Sequence, residues 1–239
     1  GLGMPPRGRI APLIKMARVH QRGRFVHVWY YLQGEYEKYQ GNPAVGRLLG
    51  YELLANHAMI QAHPSQAEVA GTEESHAEIN RFIRASRPLW SDRTPLAQIA
   101  LLYSPASQLA AMTPGGTVDF AAQQHAFDII GWATALSELH HQYDVVAEWD
   151  LTEATLVDKT VLVLPSVEAL SDGAVAGVLA PWVHAGGALL LSGPAGLRHS
   201  LSGSLARVGP DREVQPSLCS LLGLEPASPL PAELDRRVG

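Results

Sequence analysis

Apolar residues in this chain form two kinds of run: short continuous blocks, and longer stretches in which they recur at three-and-four spacing. The clearest succession lies between Thr160 and Gly196. Val161–Pro165 and Ala188–Ser192 are apolar almost throughout, too short for helices, and closed by small or turn-forming residues, which predicts strands. Between them, Val175, Val178, Leu179, Trp182 and Val183 share one face of a predicted helix over 172–185. Ser171 and Asp172 can cap its start, and Gly186 with Gly187 can end it in the left-handed conformation that glycine tolerates. Two apolar strands joined through a helix predict a parallel βαβ unit covered on both faces.

The same alternation extends upstream. IALLYS over 99–104 and DVVAEW over 144–149 predict two further strands, separated by a polar connection and a helix over 121–141. The inner face of that helix is expected to hold Phe127, Ile130, Trp132, Leu136 and Leu139, and a short helical segment over 152–157 leads to the third strand. Four strands with helical crossovers predict an α/β fold of the flavodoxin-like class, a doubly wound parallel sheet with right-handed connections.

The N-terminal third reads differently. FVHVWYYL over 25–32 is its best strand, after a short helix over 12–20. Helices are predicted over 45–62, stopped by His63-Pro64, and over 72–86, with Ala77, Ile79, Phe82 and Ile83 as the apolar face. RPLWSDRTPLAQ over 87–98 is rich in turn formers and marks a boundary. The expected organisation is a segment over 1–95, an α/β domain over 96–197 and a loop-rich tail over 198–239 holding a short helix over 214–222.

Composition narrows the function classes. Of 239 residues, 46% are hydrophobic and 17% charged, enough for a sizeable core. The 18 basic against 23 acidic residues give a net charge of −5, which argues against nucleic acid or an anionic membrane as the main partner. The single cysteine, Cys219, excludes an intrachain disulfide and the paired-thiol zinc patterns; its leucine-rich setting reads as a small buried hydrophobe. A reducing, cytoplasmic setting is expected, with no signal peptide, and the N-terminus reads as though cut from something longer. The ten histidines lack metal-ligand spacing, so no metal and no cofactor is expected, and they read as dispersed surface or core residues. The Gly193 and Gly115-Gly116 turns match no phosphate-binding fingerprint, and Pro194 removes a backbone donor from the first. The carboxyl ends of the strands, where open α/β sheets hold ligands, are expected to carry Ser104, Asp150, Ser166 and Ser192.

The order Tyr103-Ser104-Pro105, long helix, DVV, LVLP, Leu170-Ser171-Asp172 and Trp182-Val183-His184-Ala185-Gly186-Gly187, then a strand ending Ser192-Gly193, resembles a known domain. It is the glutamine-amidotransferase-like domain, called the trimerisation domain, that follows the catalytic barrel in β-galactosidases of glycoside hydrolase family 42. Residues 25–90, with Tyr51-Glu52-Leu53-Leu54-Ala55-Asn56 and Gly71-Thr72-Glu73, look like the last part of such a barrel. A whole eight-fold barrel takes about 250 residues, so the segment is an incomplete TIM-barrel-like one. The resemblance implies a carbohydrate substrate, a homo-oligomer (a trimer), and an accessory domain whose role is assembly.

Amidotransferase chemistry needs a cysteine at a strand-to-helix turn, and the corresponding Leu191-Ser192-Gly193-Pro194 has none, nor a Gly-x-Ser-x-Gly elbow around Ser192. Glycoside hydrolysis needs paired carboxylates at barrel strand ends. Glu35 and Glu37 follow the 25–32 strand and are the catalytic candidates, Glu35 the nearer, with Trp29 and Tyr31 able to stack on a sugar ring. The plainer reading is a solvated loop beside an amphipathic strand, and a partner carboxylate would come from an earlier strand. Against the glycosidase reading stand a flavodoxin-like small-molecule-binding or regulatory module, and a diverged hydrolase acting through Ser192.

Overall fold

The computed structural model describes residues 10–21, 26–30, 43–62, 72–90, 95–110, 120–167, 169–193, 198–199 and 221. Contacts divide the chain into two compact units, 1–96 and 97–239.

In the first unit, α1 (Ile10–Gln21) precedes β1 (Val26–Tyr30); α2 (Pro43–Ala55) then leads to β2 (Ala58–Ala62), followed by α3 (Thr72–Ala85) and the short α4 (Arg87–Trp90). β1 and β2 pair in parallel, Val26 opposite Ala58 through Tyr30 opposite Ala62, so the unit contains a βαβ turn of chain. Ile14, Val26, Leu53 and Ala58 form its buried centre, with Ile10 and Ala17 packed against them.

The expected helix over 45–62 is corrected here. It ends at Ala55, where His57 takes a left-handed backbone (φ 61°) and the Asn56 side-chain amide donates to the Glu52 carbonyl at 2.9 Å. The following AMIQA has weak β propensity on its own, and pairing with β1 makes it a strand. On α3, Ile79 is buried as expected, but Ala77 and Phe82 are exposed. Phe82 instead meets the Tyr51 ring edge-on, centroids 5.3 Å apart.

In the second unit, β3 (Ile99–Tyr103), α5 (Pro105–Ala110), α6 (Phe120–Glu138), β4 (Tyr143–Ala147), a single 3-10 turn (Glu148–Asp150), α7 (Glu153–Leu156) and β5 (Val161–Pro165) follow in order. After them come β6 (Ala169–Leu170), α8 over 172–184, β7 (Ala188–Ser192) and β8 (Arg198–His199). Four of these strands form one sheet in the order β4-β3-β5-β7, every pair parallel. The order reverses direction after β4, which places β3 and β5 at the centre.

Side chains alternate across this sheet. Ala100, Leu102, Val146, Leu162 and Leu164 point to one face and are buried with Leu156 of α7 and Val175 and Leu179 of α8; Leu221 packs on the same cluster. The opposite face, with Leu101, Val145 and Val163, lies under α6, whose Ile129, Ala133 and Leu136 are buried. Thr152 caps α7 through a reciprocal bond pair with Thr155, and Ser171 Oγ accepts from the Ala174 N–H at 3.1 Å at the start of α8. Gly186 (φ 104°) ends α8, as its position predicts.

The expected inner face of α6 is partly wrong. Leu136 is buried, but Phe127 and Leu139 are exposed, and the buried stripe runs through His125, Ile129 and Ala133. AFDIIGWATAL is apolar at most positions, so its pattern alone leaves the rotation of the helix open. Four short elements carry no signal in the sequence pattern: α4, α5 and the paired strands β6 and β8. Two-residue strands and single helical turns leave no periodic signature. Among the described residues no helix is long and apolar enough to cross a membrane.

Candidate functional site

The polar groups of the second unit gather at the carboxyl ends of its strands. Ser104 follows β3 and is fully buried. Because Pro105 starts α5 with its φ already set, Ser104 serves as the cap: its Oγ accepts from the Ser107 N–H at 3.1 Å. The same hydroxyl donates to Glu148 Oε2 at 2.7 Å, tying the end of β3 to the turn after β4. Ser107, also buried, bonds Ser104 Oγ through its own hydroxyl at 2.9 Å and accepts from the Ala169 N–H at 3.0 Å.

His125 reaches into this edge from α6. Its Nε2 accepts from the Ser104 N–H at 2.8 Å, and its Nδ1 stands 2.6 Å from the Pro165 carbonyl, to which it donates. That pairing requires a neutral ring, since Nε2 must keep its lone pair. Burial lowers the His125 pKa, while the Pro165 bond and the Asp128 charge oppose the shift. The Tyr103 ring stacks on the imidazole with centroids 5.7 Å apart. Burial likewise pushes the Glu148 carboxyl above its ordinary range, against the hydrogen bond from Ser104.

A second group lies one strand away. Ser166, after β5, has a left-handed backbone (φ 45°), and its N–H donates to the Ser192 carbonyl at 2.8 Å. Its hydroxyl binds Asp128 Oδ2 on α6. The indole N–H of Trp132 donates to Ser192 Oγ at 2.8 Å. Gly193 follows with φ 67°, and a Cβ there would collide with Ser166 Oγ.

These contacts decide the chemistry. The His125 nitrogen nearest Ser104 holds a backbone N–H rather than the hydroxyl, and the hydroxyl faces a carboxylate. The geometry is therefore not a nucleophile with its base, and Ser104 is closed to a substrate. Ser192 Oγ holds the Trp132 indole N–H. The network ties four strand ends together and leaves its buried polar atoms satisfied.

Of the expected strand-end set, Ser104, Ser166 and Ser192 lie where the sequence puts them. Glu148 rather than Asp150 joins the network, because the chain turns at Glu148–Asp150 and the Asp150 carbonyl accepts from Thr155 Oγ1 at 2.9 Å. His125, Asp128, Glu148 and Ser107 were not singled out as site residues. A histidine on an apolar helix was the one signal available, and it pointed to a core role. Glu35, Glu37, Tyr31 and Cys219 lie outside the described residues; Trp29 lies in β1, its backbone opposite Gln61. Among the described residues no group of three His, Cys, Asp or Glu side chains is placed to hold a metal ion.

No protein-family model matches the sequence, and no curated protein matches it by sequence. Solved structures do match by shape. A β-galactosidase from Bacillus circulans sp. alkalophilus aligns with TM-score 0.64 and 14% identity, over 84% of this chain and 32% of its own. A catalytic mutant of Gan42B, a GH42 β-galactosidase from G. stearothermophilus, aligns with TM-score 0.53 and 16% identity, over 74% of this chain and 27% of its own. A β-galactosidase from Bifidobacterium adolescentis covers 54% of this chain at 22% identity with TM-score 0.39. The chain thus spans about a third or less of the two better-fitting enzymes. Its fold neighbours are β-galactosidases, GH42 among them, at low identity and over part of their length.

Proposed function

We propose that this chain is part of a carbohydrate-active glycoside hydrolase of the β-galactosidase type. It would supply the last elements of a TIM barrel and a flavodoxin-like, glutamine-amidotransferase-like accessory domain without amidotransferase chemistry. One observation carries the reading: the likeness to the Bacillus circulans enzyme covers 84% of the chain, more than either compact unit contains, so it takes in both. The strand-end network supports the non-catalytic part, since Ser104, His125 and Glu148 are spent on joining strands. On this reading the accessory domain assembles a homo-oligomer, a trimer in the resembling family, and the protein works in the cytoplasm without a cofactor.

The barrel part would contribute Glu35 as one of the two carboxylates, with Glu37 beside it, and Trp29 and Tyr31 as stacking surfaces for the sugar. The other carboxylate would come from barrel strands that precede this segment. The test is hydrolysis of nitrophenyl β-galactoside by the protein carrying those strands. Glu35→Gln is expected to lower kcat by at least about 100-fold with KM little changed, as for loss of a group acting only in the transition state. Full activity in both Glu35→Gln and Glu37→Gln would remove these residues from the mechanism, and no glycosidase activity in the longer protein would remove the reading. Light scattering on the same protein is expected to give a trimer; a strict monomer would overturn the assembly role.

A further inference from the structure

The second unit has a cleft of about 420 Å³ between α6 and the end of β7, lined by Asp128, Gly131, Trp132, Ala135, Ser192 and Gly193. The four α6 residues stand at helical spacing on one stripe, and β7 is an edge strand of the sheet. The cleft sits outside the carboxyl ends of β5 and β7, where open α/β sheets take ligands, and it is shallow and open to solvent.

Gly131 leaves the middle of this stripe open: it is exposed, and a Cβ there would meet nothing within 4 Å, so the space above it is free to take a side chain or a ligand.

The lining states what kind of occupant fits. Asp128 is the one charged residue among the described lining, and its charge disfavours phosphates and carboxylates. Its carboxylate is oriented by Gln124 Nε2 at 2.7 Å on Oδ1 and by the Ser166 hydroxyl on Oδ2, and each oxygen keeps a further lone pair for a donor. The Trp132 ring is fixed by its bond to Ser192 Oγ, and that serine keeps its own hydroxyl hydrogen to donate. A pinned indole, an oriented acceptor and a hydroxyl donor together match a neutral ring with an apolar face and several hydroxyls. Leu190, two residues before Ser192 on the same face of β7 and 45% exposed, adds apolar surface nearby.

We propose that the Asp128–Trp132–Ser192 cleft is a pyranose-binding site on the α/β unit. A sugar would lay its C–H face on the indole and donate hydroxyls to Asp128. The choice of sugar rests on the glycosidase reading above, while the site itself does not.

The test is calorimetric titration of the whole chain with methyl β-D-galactopyranoside, alongside tetramethylammonium as the alternative guest for a carboxylate and an indole. The sugar is expected to bind. Gly131→Leu, which fills the cleft without meeting another atom at its Cβ, is expected to weaken binding at least about tenfold without lowering the melting temperature. Asp128→Asn is expected to weaken it as well, with the fold checked by circular dichroism. No sugar binding, binding unchanged in Gly131→Leu, or binding of the ammonium ion alone would each overturn the proposal. Hydrolysis by the longer protein is scored separately: activity without cleft binding sinks this inference alone, and cleft binding without activity sinks only the glycosidase reading.

Discussion

The second unit holds four parallel strands between helices, with Leu101 buried on one face and Leu162 and Leu164 on the other. The first holds two parallel strands, and among the described residues no third strand pairs with them. Parallel strands are characteristically buried on both faces and belong to larger sheets. In the four-stranded sheet β3, β4 and β5 satisfy that, whereas the edge strand β7 is partly exposed, and the polar strand ends are locked by His125 and Glu148. Among the described residues, the β1–β2 pair packs through Val26 and Ala58 against Ile14 and Leu53. The contrast lies in what holds each described sheet: buried side chains on both faces of β3 and β5 in the second unit, and one small cluster beside β1 and β2 in the first.

The largest effects should follow from cutting the two centres. Leu164 and Leu53 are both fully buried, and replacing either with alanine is expected to cost about 2–5 kcal/mol. The comparison predicts different scopes. Leu164→Ala should lower protection of amides in β3, β4, β5 and β7 together, whereas Leu53→Ala should release β1 and β2 and leave the four-stranded sheet protected. Segment-resolved hydrogen exchange distinguishes the two, and a single shared transition in both variants would break the division.

Gly193→Ala comes next. Alanine would have to hold φ 67°, and its Cβ would displace the Ser166 side chain from Asp128. A loss of about 1–3 kcal/mol is expected, read by denaturant titration. An unchanged midpoint would show that the β5–β7 ends are not tightly joined.

What could be read in advance follows the same contrast. Val161–Pro165 was legible because a covered strand is apolar at every position, and Ala188–Ser192 because its apolar run is closed by turn residues, although it lies at the sheet edge with Leu190 exposed. Ala58–Ala62 was not, because AMIQA carries no strand signal apart from its partner β1. Ser104, Ser166 and Ser192 were legible as small polar residues closing apolar runs. Their partners were not: Ser104 meets Glu148 across 44 residues and Ser166 meets Asp128 across 38, pairings that only the folded sheet creates. The cleft was invisible for the same reason. Asp128, Gly131, Trp132 and Ala135 share a stripe, but nothing in their spacing shows that the stripe faces open space rather than a neighbour.

A smaller and more specific effect concerns pH. Burial holds His125 below its ordinary 6.5, so on acidification the unfolded chain takes up that proton first. The His125 contribution is therefore full above about pH 6.5 and declines as pH falls through the lowered folded value. Glu148 has the opposite sign. Its raised pKa favours the fold in acid, and that contribution is lost as pH rises through the folded value, so its ionised form works against the fold at neutral pH. Denaturation of the second unit between about pH 8 and pH 5 should thus lose its His125-linked slope in His125→Asn. Glu148→Gln, which keeps an acceptor for Ser104, should be at least as stable as the parent at pH 7. A less stable glutamine variant would mean that the network needs the charge.

The smallest effect expected is at the charged pair of the first unit. Arg47 Nη1 meets Glu78 Oε2 at 2.9 Å, joining α2 to α3, and Tyr51 OH reaches the other carboxylate oxygen at 3.5 Å. The two side chains are 38% and 36% exposed, so water and salt screen the attraction while holding both chains in place costs entropy. Arg47→Ala should therefore cost no more than about 1 kcal/mol, and the difference should shrink further in high salt. Leu53 lies on the same helix and buries its whole side chain, so it should dominate the stability of this unit. If Arg47→Ala instead released β1 and β2 to the extent that Leu53→Ala does, the first unit would depend on its surface charges more than on its centre. The contrast between a packed sheet and a thinly packed pair would then have to be redrawn around electrostatics.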